Sequence, residues 1–372
     1  MNVTFDNATT VSHGRRHVYY WKCDRPAAFH GTQKERETNA IEPQLHRLLA
    51  AKFPEHSIRL RDGGGQGNHL TWIAEIGNAT YFVRVENGPE RDDHLEVESF
   101  IIESVRHYGV PTPRVHLVDI QRDEVSFAWQ VMDCVPVPDL NVAFKKGELN
   151  SVDVSYEIGC AIARWQAVPV SGFGHFDPQR LRDSGELHGY HSHYEDYFTL
   201  NWKRHLNFLE QRQFLLRHEV REIDETVSQA RDLLSLTEGC LVHKDLAFWN
   251  ILGDQNGIQA YIDWDDAVSA DEMDDLSLLG CFHDGPVIAG AMKGYQSIKS
   301  LPDNFGGRFW LHLLRNMIVK SVIRVGAGYF DRTDGFFLIA PGLTGADLIR
   351  QTRSRIFRVL DGLRSNEHPE AL

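Results

Sequence analysis

The amino-acid sequence predicts an α+β chain in two lobes, a small antiparallel β lobe followed by a larger, mainly helical one. Three observations carry this expectation. In "SIRLRDGGGQGNHLTWIAEIGNATYFVRVE", residues 57–86, apolar residues alternate with polar ones and glycine-rich turns cut the run, the pattern of half-buried strands. After "DCVPVPDL", residues 133–140, the apolar spacing becomes predominantly helical. At 372 residues the chain exceeds what one small domain usually needs.

In order, residues 1–40 form an extension without a clean period, although "HVYYWKC" reads as one strand. From Glu42 to Phe53, Leu45, Leu48, Leu49 and Phe53 fall at helical spacing. A strand to Leu60, a glycine-rich turn, a strand over Thr71–Ile76, a hairpin at Gly77-Asn78 and a strand over Tyr81–Val85 follow. A helix over His94–His107 can bury Leu95, Phe100, Ile101 and Val105, and "GVPTP" stops it. Two further strands, "RVHLVDI" and "SFAWQVM", lead to a hinge near 132–139. Helices are then predicted over 151–167, 194–217, 219–236, 275–299, 307–325 and 345–363. The expected division is an extension at 1–40, an N-terminal lobe at 41–135 and a C-terminal lobe at 136–372.

The net charge of −13 argues against a nucleic-acid binder, whose affinity rests on clustered Lys and Arg. It suits a cationic ligand, or it simply keeps the protein soluble. The five cysteines are scattered, odd in number and without a C-x-x-C pair, as expected of reduced thiols in a cytoplasmic protein. No leader-like apolar segment and no run of membrane-spanning length is present, so no membrane partner is expected. His188, His191 and His193 lack a matching second ligand set and read as a loop.

The densest chemistry lies in "LVHKDLAFWNILGDQNGIQAYIDW", residues 241–264. Asp245, Asn250 and Asp263 have a spacing that suits phosphoryl transfer. One carboxylate can orient a hydroxyl and take its proton, while an amide oxygen and a second carboxylate hold magnesium. The turn "GDQNG" would pair two short strands and bring Asn250 and Asp263 together, with Asp254, Asn256 and Gly257 as hairpin residues and His243 as a structural hydrogen bonder. The alternative is that these Asp and Asn residues only make turns and caps.

"HKDLAFWNIL", followed by "YIDWDDA" and "ADEMDDLS", resembles the aminoglycoside phosphotransferase family, small-molecule kinases with the two-lobed fold of protein kinases. The resemblance implies Asp245 as catalytic aspartate, Asn250 and Asp263 as Mg2+ ligands, and His243, Asp271 and Asp275 as supports; Ala270 stands where the family pattern has glycine. It extends over roughly residues 58–280. "GGGQGN" resembles the phosphate-side turn, which implies Gly65 and Asn68 as nucleotide contacts. "YFVRV" resembles the third strand, which implies that Arg84 reaches the phosphates with Glu98, or else Glu96, as its ion-pair partner. "QVMDCVP" resembles the hinge, so Asp133, Cys134 and Val135 are implied to meet the purine through main chain. The implied reaction moves the γ-phosphate of ATP or GTP to a hydroxyl of a small-molecule acceptor. An aminoglycoside or related antibiotic leads, and a sugar, amino alcohol, nucleoside or natural product is the alternative. A nucleotide-binding pseudokinase is the reading from another class. Asp265 or Asp266 is a candidate to face an amino group of a cationic acceptor.

Overall fold

A computed structural model describes residues 14–25, 38–64, 69–254, 256–333 and 335–372. The first described segment contains a single helical turn, α1 (Trp21–Asp24), where the sequence suggests a strand. The reason is local: the Asp24 carboxylate accepts from Tyr19 N at 3.1 Å and Tyr20 N at 3.3 Å, which curls the backbone out of an extended path.

Helix α2 (Thr38–Lys52) precedes strands β1 (Ile58–Asp62), β2 (Leu70–Ile76) and β3 (Ala79–Val85); α3 (His94–His107) separates these from β4 (Val115–Asp119) and β5 (Trp129–Asp133). The five strands form one sheet in the order β1-β2-β3-β5-β4, every neighbour antiparallel. The expected alternation is present in β2, where Leu70, Trp72, Ala74 and Ile76 point to one buried face. They pack with Leu45 and Leu49 of α2, Val83 of β3 and Trp129 and Val131 of β5. Gly77 takes φ +60° between β2 and β3, the first position of a two-residue hairpin that only glycine fills without strain. Helix α3 turns Val97, Ile101 and Val105 toward the larger core that continues into the helical part.

The remainder runs α4 (Leu140–Lys145), α5 (Ser151–Trp165), β6 (Val170–Ser171), β7 (Phe173–Phe176), α6 (Pro178–Ser184), β8 (Leu187–His191), α7 (Tyr194–Phe198), α8 (Trp202–Gln211) and α9 (Arg217–Gln229). Then come β9 (Cys240–Val242), β10 (Ile251–Asp254), β11 (Gly257–Tyr261), β12 (Val268–Ala270), α10 (Asp274–Leu279), α11 (Gly285–Gln296), α12 (Phe305–Gly326) and α13 (Gly345–Ser365). Two expected long helices are each broken. The 194–217 stretch divides at Asn201, whose φ of +57° lies outside the helical region. The 275–299 stretch divides where Pro286 starts a new helix, because proline has no N–H to continue the old one. Among the described residues, no helix is long and apolar enough to cross a membrane.

Two features make the helical core rigid. Helices α5 and α11 approach through glycines: a Cβ on Gly159 would lie 1.8 Å from Ala291 O, and one on Gly294 would lie 1.9 Å from Tyr156 O. Helix α12 is buried continuously from Phe309 to Arg324, so its polar side chains need partners inside the protein.

Asp271 follows β12 and is held by α12, accepting from Arg308 Nε at 2.8 Å and Nη2 at 2.9 Å, with His312 Nε2 at 3.0 Å. Burial opposes the ionised form, but His312 and Arg308 outweigh it and hold the carboxyl far below its usual range. A depressed folded-state pKa contributes stability that is complete above the unfolded value, about 3.9, and is lost as pH falls below it. Thermal melts from pH 7 to pH 3 should therefore show Asp271→Asn much less stable than wild type at neutral pH, with the gap closing below about pH 4. A gap that stays constant over that range would refute the linkage.

Candidate active site

Strand β9 delivers the chain into the His243–Asn250 segment, and β10 and β11 then pair, Ile251 opposite Tyr261. Ile262 N donates to Asn250 O at 3.0 Å, which extends that pairing and sets Asn250 and Asp263 at adjoining strand ends, as the hairpin expectation requires. Lys244 and Asp263 both have left-handed backbone, φ +69° and +65°. Each costs about 1–2 kcal/mol relative to the ordinary conformation. The Asp275 carboxylate on α10 holds the first in place, accepting from His243 N at 2.8 Å, Lys244 N at 3.0 Å and Trp165 Nε1 at 3.0 Å.

His243 is structural. Its Nε2 bonds Ile262 O at 2.9 Å and its Nδ1 accepts from Asp245 N at 3.3 Å, which assigns the proton to Nε2. Burial lowers its pKa to about 4, so the ring is neutral and bridges the two functional strand ends.

Asp245 receives two sets of donors. Asn250 Nδ2 donates to its carbonyl at 2.8 Å and to Oδ2 at 3.1 Å, while Lys320 Nζ of α12 donates to Oδ1 at 2.7 Å. Burial alone would raise this carboxyl, but Lys320 dominates, with help from the Tyr20 hydroxyl and Lys22, and lowers it to about 2. Arg84 on β3 ion-pairs with Glu98 of α3, and its Nη2 donates to His69 Nδ1 at 2.7 Å and to Asp263 Oδ1 at 3.0 Å. Glu96 instead faces Arg182 at 2.8 Å, so Glu98 is the ion-pair partner.

These groups share a cleft of about 630 Å³ with Asp133, Cys134 and Val135. The Asp133 side chain accepts from Arg114 N at 3.1 Å and bonds His116 Nε2 at 2.7 Å, while Asp133 N donates to Arg114 O at 2.9 Å. Gly63 and Gly64 also line the cleft; Gly64 has φ +70°, and Gly64 N donates to Asp62 Oδ1 at 2.9 Å. Gly65 and Asn68, the expected phosphate-side contacts, lie outside the described residues.

Comparison with known proteins adds a decisive match. The model of the phosphotransferase enzyme family aligns with residues 59–302, more than half of the chain. The chain belongs to the phosphotransferase enzyme family. It is accordingly an enzyme of the small-molecule kinase class. No curated protein sequence matches it. Among solved structures, aminoglycoside phosphotransferase APH(4)-Ia aligns with TM-score 0.59 and 16% identity, over 86% of this chain and 99% of that one. Spectinomycin phosphotransferase APH(9)-Ia in complex with ADP and spectinomycin aligns with TM-score 0.51 and 14% identity, over 87% and 98%. At such identities the likeness carries the fold, a small antiparallel β part and a helical part arranged as in protein kinases.

The phosphotransferase has site residues that sequence reasoning missed. Segment 14–25 lies against residues 244–266. Arg15 bridges Asp265 Oδ1 at 2.8 Å and Asp92 Oδ2 at 2.7 Å. Trp21 N donates to Asp266 Oδ1 at 2.8 Å. Lys244 Nζ reaches Tyr19 OH at 2.9 Å and Asp274 Oδ2 at 2.6 Å, Lys320 Nζ reaches Tyr20 OH at 2.8 Å, and Lys22 lines the cleft beside Asp245. Asp265 and Asp266 are thus buried and engaged by this segment, which corrects the expectation that one of them faces an acceptor amine. His188 and His191 lie on strand β8 and not in the expected loop; His191 Nε2 bonds Arg16 O at 2.9 Å and His188 Nδ1 bonds Ser171 Oγ at 2.7 Å.

The donor set of the phosphotransferase fits magnesium. Asn250 presents its amide oxygen because Nδ2 is directed at Asp245, and Asp263 Oδ2 takes no part in the Arg84 bond, so the available atoms are hard oxygens. Burial raises the Asp263 carboxyl, Arg84 pulls it down, and the Asp245 and Asp265 charges raise it again, for a net upward shift. Crowded carboxylates of this kind are relieved by a divalent cation.

Proposed function

We propose that this chain transfers the γ-phosphoryl group of ATP or GTP to a hydroxyl of a small molecule. The nucleotide is held mainly by residues 41–135 and the acceptor by residues 136–372. The reading rests on one observation: Asp245, Asn250, Asp263 and Arg84, which Glu98 holds from behind, line a single cleft. The purine meets the Asp133–Val135 main chain, and Arg84 neutralises phosphate charge with a planar fork. Asn250 and Asp263 would hold magnesium, which when bound supplies charge neutralisation between the phosphates.

Asp245 accepts a hydrogen bond from the acceptor hydroxyl and aims its oxygen at phosphorus. A carboxylate lowered to about 2 is a weak base, so it orients the hydroxyl first. As the new O–P bond forms and the bond from phosphorus to the β-phosphate oxygen breaks, the acceptor oxygen becomes acidic and its proton passes to Asp245. Lys320 keeps that carboxylate ionised and fixed between turnovers. The five cysteines are all free thiols, consistent with a reducing cytoplasm.

The test is magnesium-dependent ADP or GDP release, measured with and without a panel of hydroxylated acceptors. Asp263→Ala should abolish magnesium-dependent nucleotide binding, read by titration of the full chain with and without the ion. Binding that is equally magnesium-dependent in this variant would remove Asp263 from the ligand set. Nucleotide binding with no turnover on any acceptor would favour the pseudokinase reading.

A further inference from the structure

A second cavity, of about 700 Å³, adjoins the cleft, and Trp249 and Phe337 line both. Its charged lining is one-sided: Lys145, Arg324, Arg350, Arg355 and Arg358 against Asp284. Most of these cations already have partners. Arg355 pairs with Asp284, Arg358 with Glu367 and Arg350 with Asp347, while Lys145 Nζ donates to Phe336 O at 2.6 Å.

Arg324 differs. It is 4% exposed, and its guanidinium makes a single hydrogen bond within the protein, Nη1 to Thr352 Oγ1 at 2.8 Å, with no carboxylate partner among the described residues. Burial and the nearby Arg355 charge lower its pKa to about 10, which leaves it cationic at neutral pH. With one hydrogen bond given to the protein, the other donors of this guanidinium can meet an anion in the cavity that Arg324 lines.

Its position adds a geometric constraint. Lys320 and Arg324 are four residues apart on α12, one helical turn or about 6 Å. Lys320 is the residue bonded to Asp245 at 2.7 Å. Asp245 lines the cleft and Arg324 the second cavity, and the two meet at Trp249 and Phe337, so a molecule that spans them reaches from one residue to the other.

We infer that the acceptor carries an anionic group, a carboxylate or a phosphate, which the Arg324 guanidinium binds while Asp245 holds the hydroxyl to be phosphorylated. This rests on the phosphoryl-transfer reading. It departs from the cationic acceptor that the acidic net charge suggests, because that charge is not distributed evenly and the cavity wall carries the opposite sign.

The test uses the full chain with the nucleotide cleft filled by magnesium and a non-hydrolysable ATP analogue. Calorimetric titrations with inorganic phosphate, D-gluconate, D-glucose and D-glucosamine compare anionic, neutral and cationic probes. Wild type should bind the two anions and favour gluconate over glucosamine. Arg324→Met should weaken anion binding roughly 10- to 100-fold, the size of a lost charge-assisted hydrogen bond, and Arg324→Lys should restore part of it. Should Arg324→Met not fold, the wild-type preference for gluconate over glucosamine decides the matter. Absence of anion binding in wild type, equal anion affinity in wild type and Arg324→Met, or tighter binding of glucosamine than gluconate would overturn the inference. Asp245-dependent ADP release is a separate readout, so the kinase reading stands or falls independently.

Discussion

Asp245→Asn is expected to lower kcat by about 10³-fold, within the range of a lost catalytic acid or base, while nucleotide affinity changes only a few-fold. The asymmetry follows from the contacts. Asp245 bonds Lys320 and Asn250, and on the proposed reading it meets the acceptor while Arg84, Asp263 and the Asp133–Val135 main chain meet the nucleotide. Asparagine preserves volume and offers Lys320 an oxygen but no charge, so the melting temperature should fall at neutral pH, where the lowered Asp245 carboxyl contributes stability. Single-turnover phosphoryl transfer and nucleotide titration on the same preparation check the two halves. Wild-type turnover by the variant on its true acceptor would remove Asp245 from the reaction. A large parallel loss of nucleotide binding would instead mean that the substitution collapses the cleft.

The second large effect is expected at a residue far from the motif. Arg15→Ala removes the guanidinium that bridges Asp92 and Asp265, in a setting where the Arg15 and Asp265 side chains are each 2% exposed. Breaking a buried ion pair from one side leaves a desolvated charge and costs about 3–5 kcal/mol. In a chain of this size that corresponds to a fall in melting temperature of roughly 4–6 °C. Asp265 sits two residues beyond Asp263, so the KM for nucleotide should rise as well. The triple variant Arg15→Met with Asp92→Asn and Asp265→Asn should recover much of the stability, because neither carboxylate that Arg15 bridged is then left charged. A single variant that melts with wild type would show that solvent reaches this pair.

What the sequence made readable, and what it hid, follows from the range of each interaction. The Asp245, Asn250 and Asp263 arrangement was legible because two short strands and a hairpin place all three within one local unit. The β part was legible because β2 buries alternate residues, a period that any sheet of this kind imposes. Arg84 and Glu98 needed the family resemblance, since nothing local connects a strand residue to one on the next helix. The contribution of Arg15, Tyr19, Tyr20 and Lys22 was invisible: their partners lie hundreds of residues away, and the segment has no period of its own. One overlooked signal was present. Asn316, Lys320 and Arg324 recur every four residues within the apolar run "LLRNMIVKSVIR", marking a polar stripe on a helix buried on all sides. Their targets are Lys244 with Asp274, Asp245, and the second cavity.

The docking of segment 14–25 also has a bearing on when activity can arise during synthesis. Tyr20 meets Lys320 across 300 positions of chain, and Arg15 meets Asp265 across 250. Translation runs from the N-terminus, so the tyrosine leaves the ribosome long before its lysine is made. A nascent chain can already hold Asp245, Asn250 and Asp263 in a folded hairpin while the carboxylate lacks the ammonium that fixes it. The closing contact joins one of the earliest described segments to one of the latest helices, and such a distant pairing is slow to find. On the proposed reading, a chain without helix α12 has the Asp245 carboxylate but not the Lys320 ammonium that fixes it.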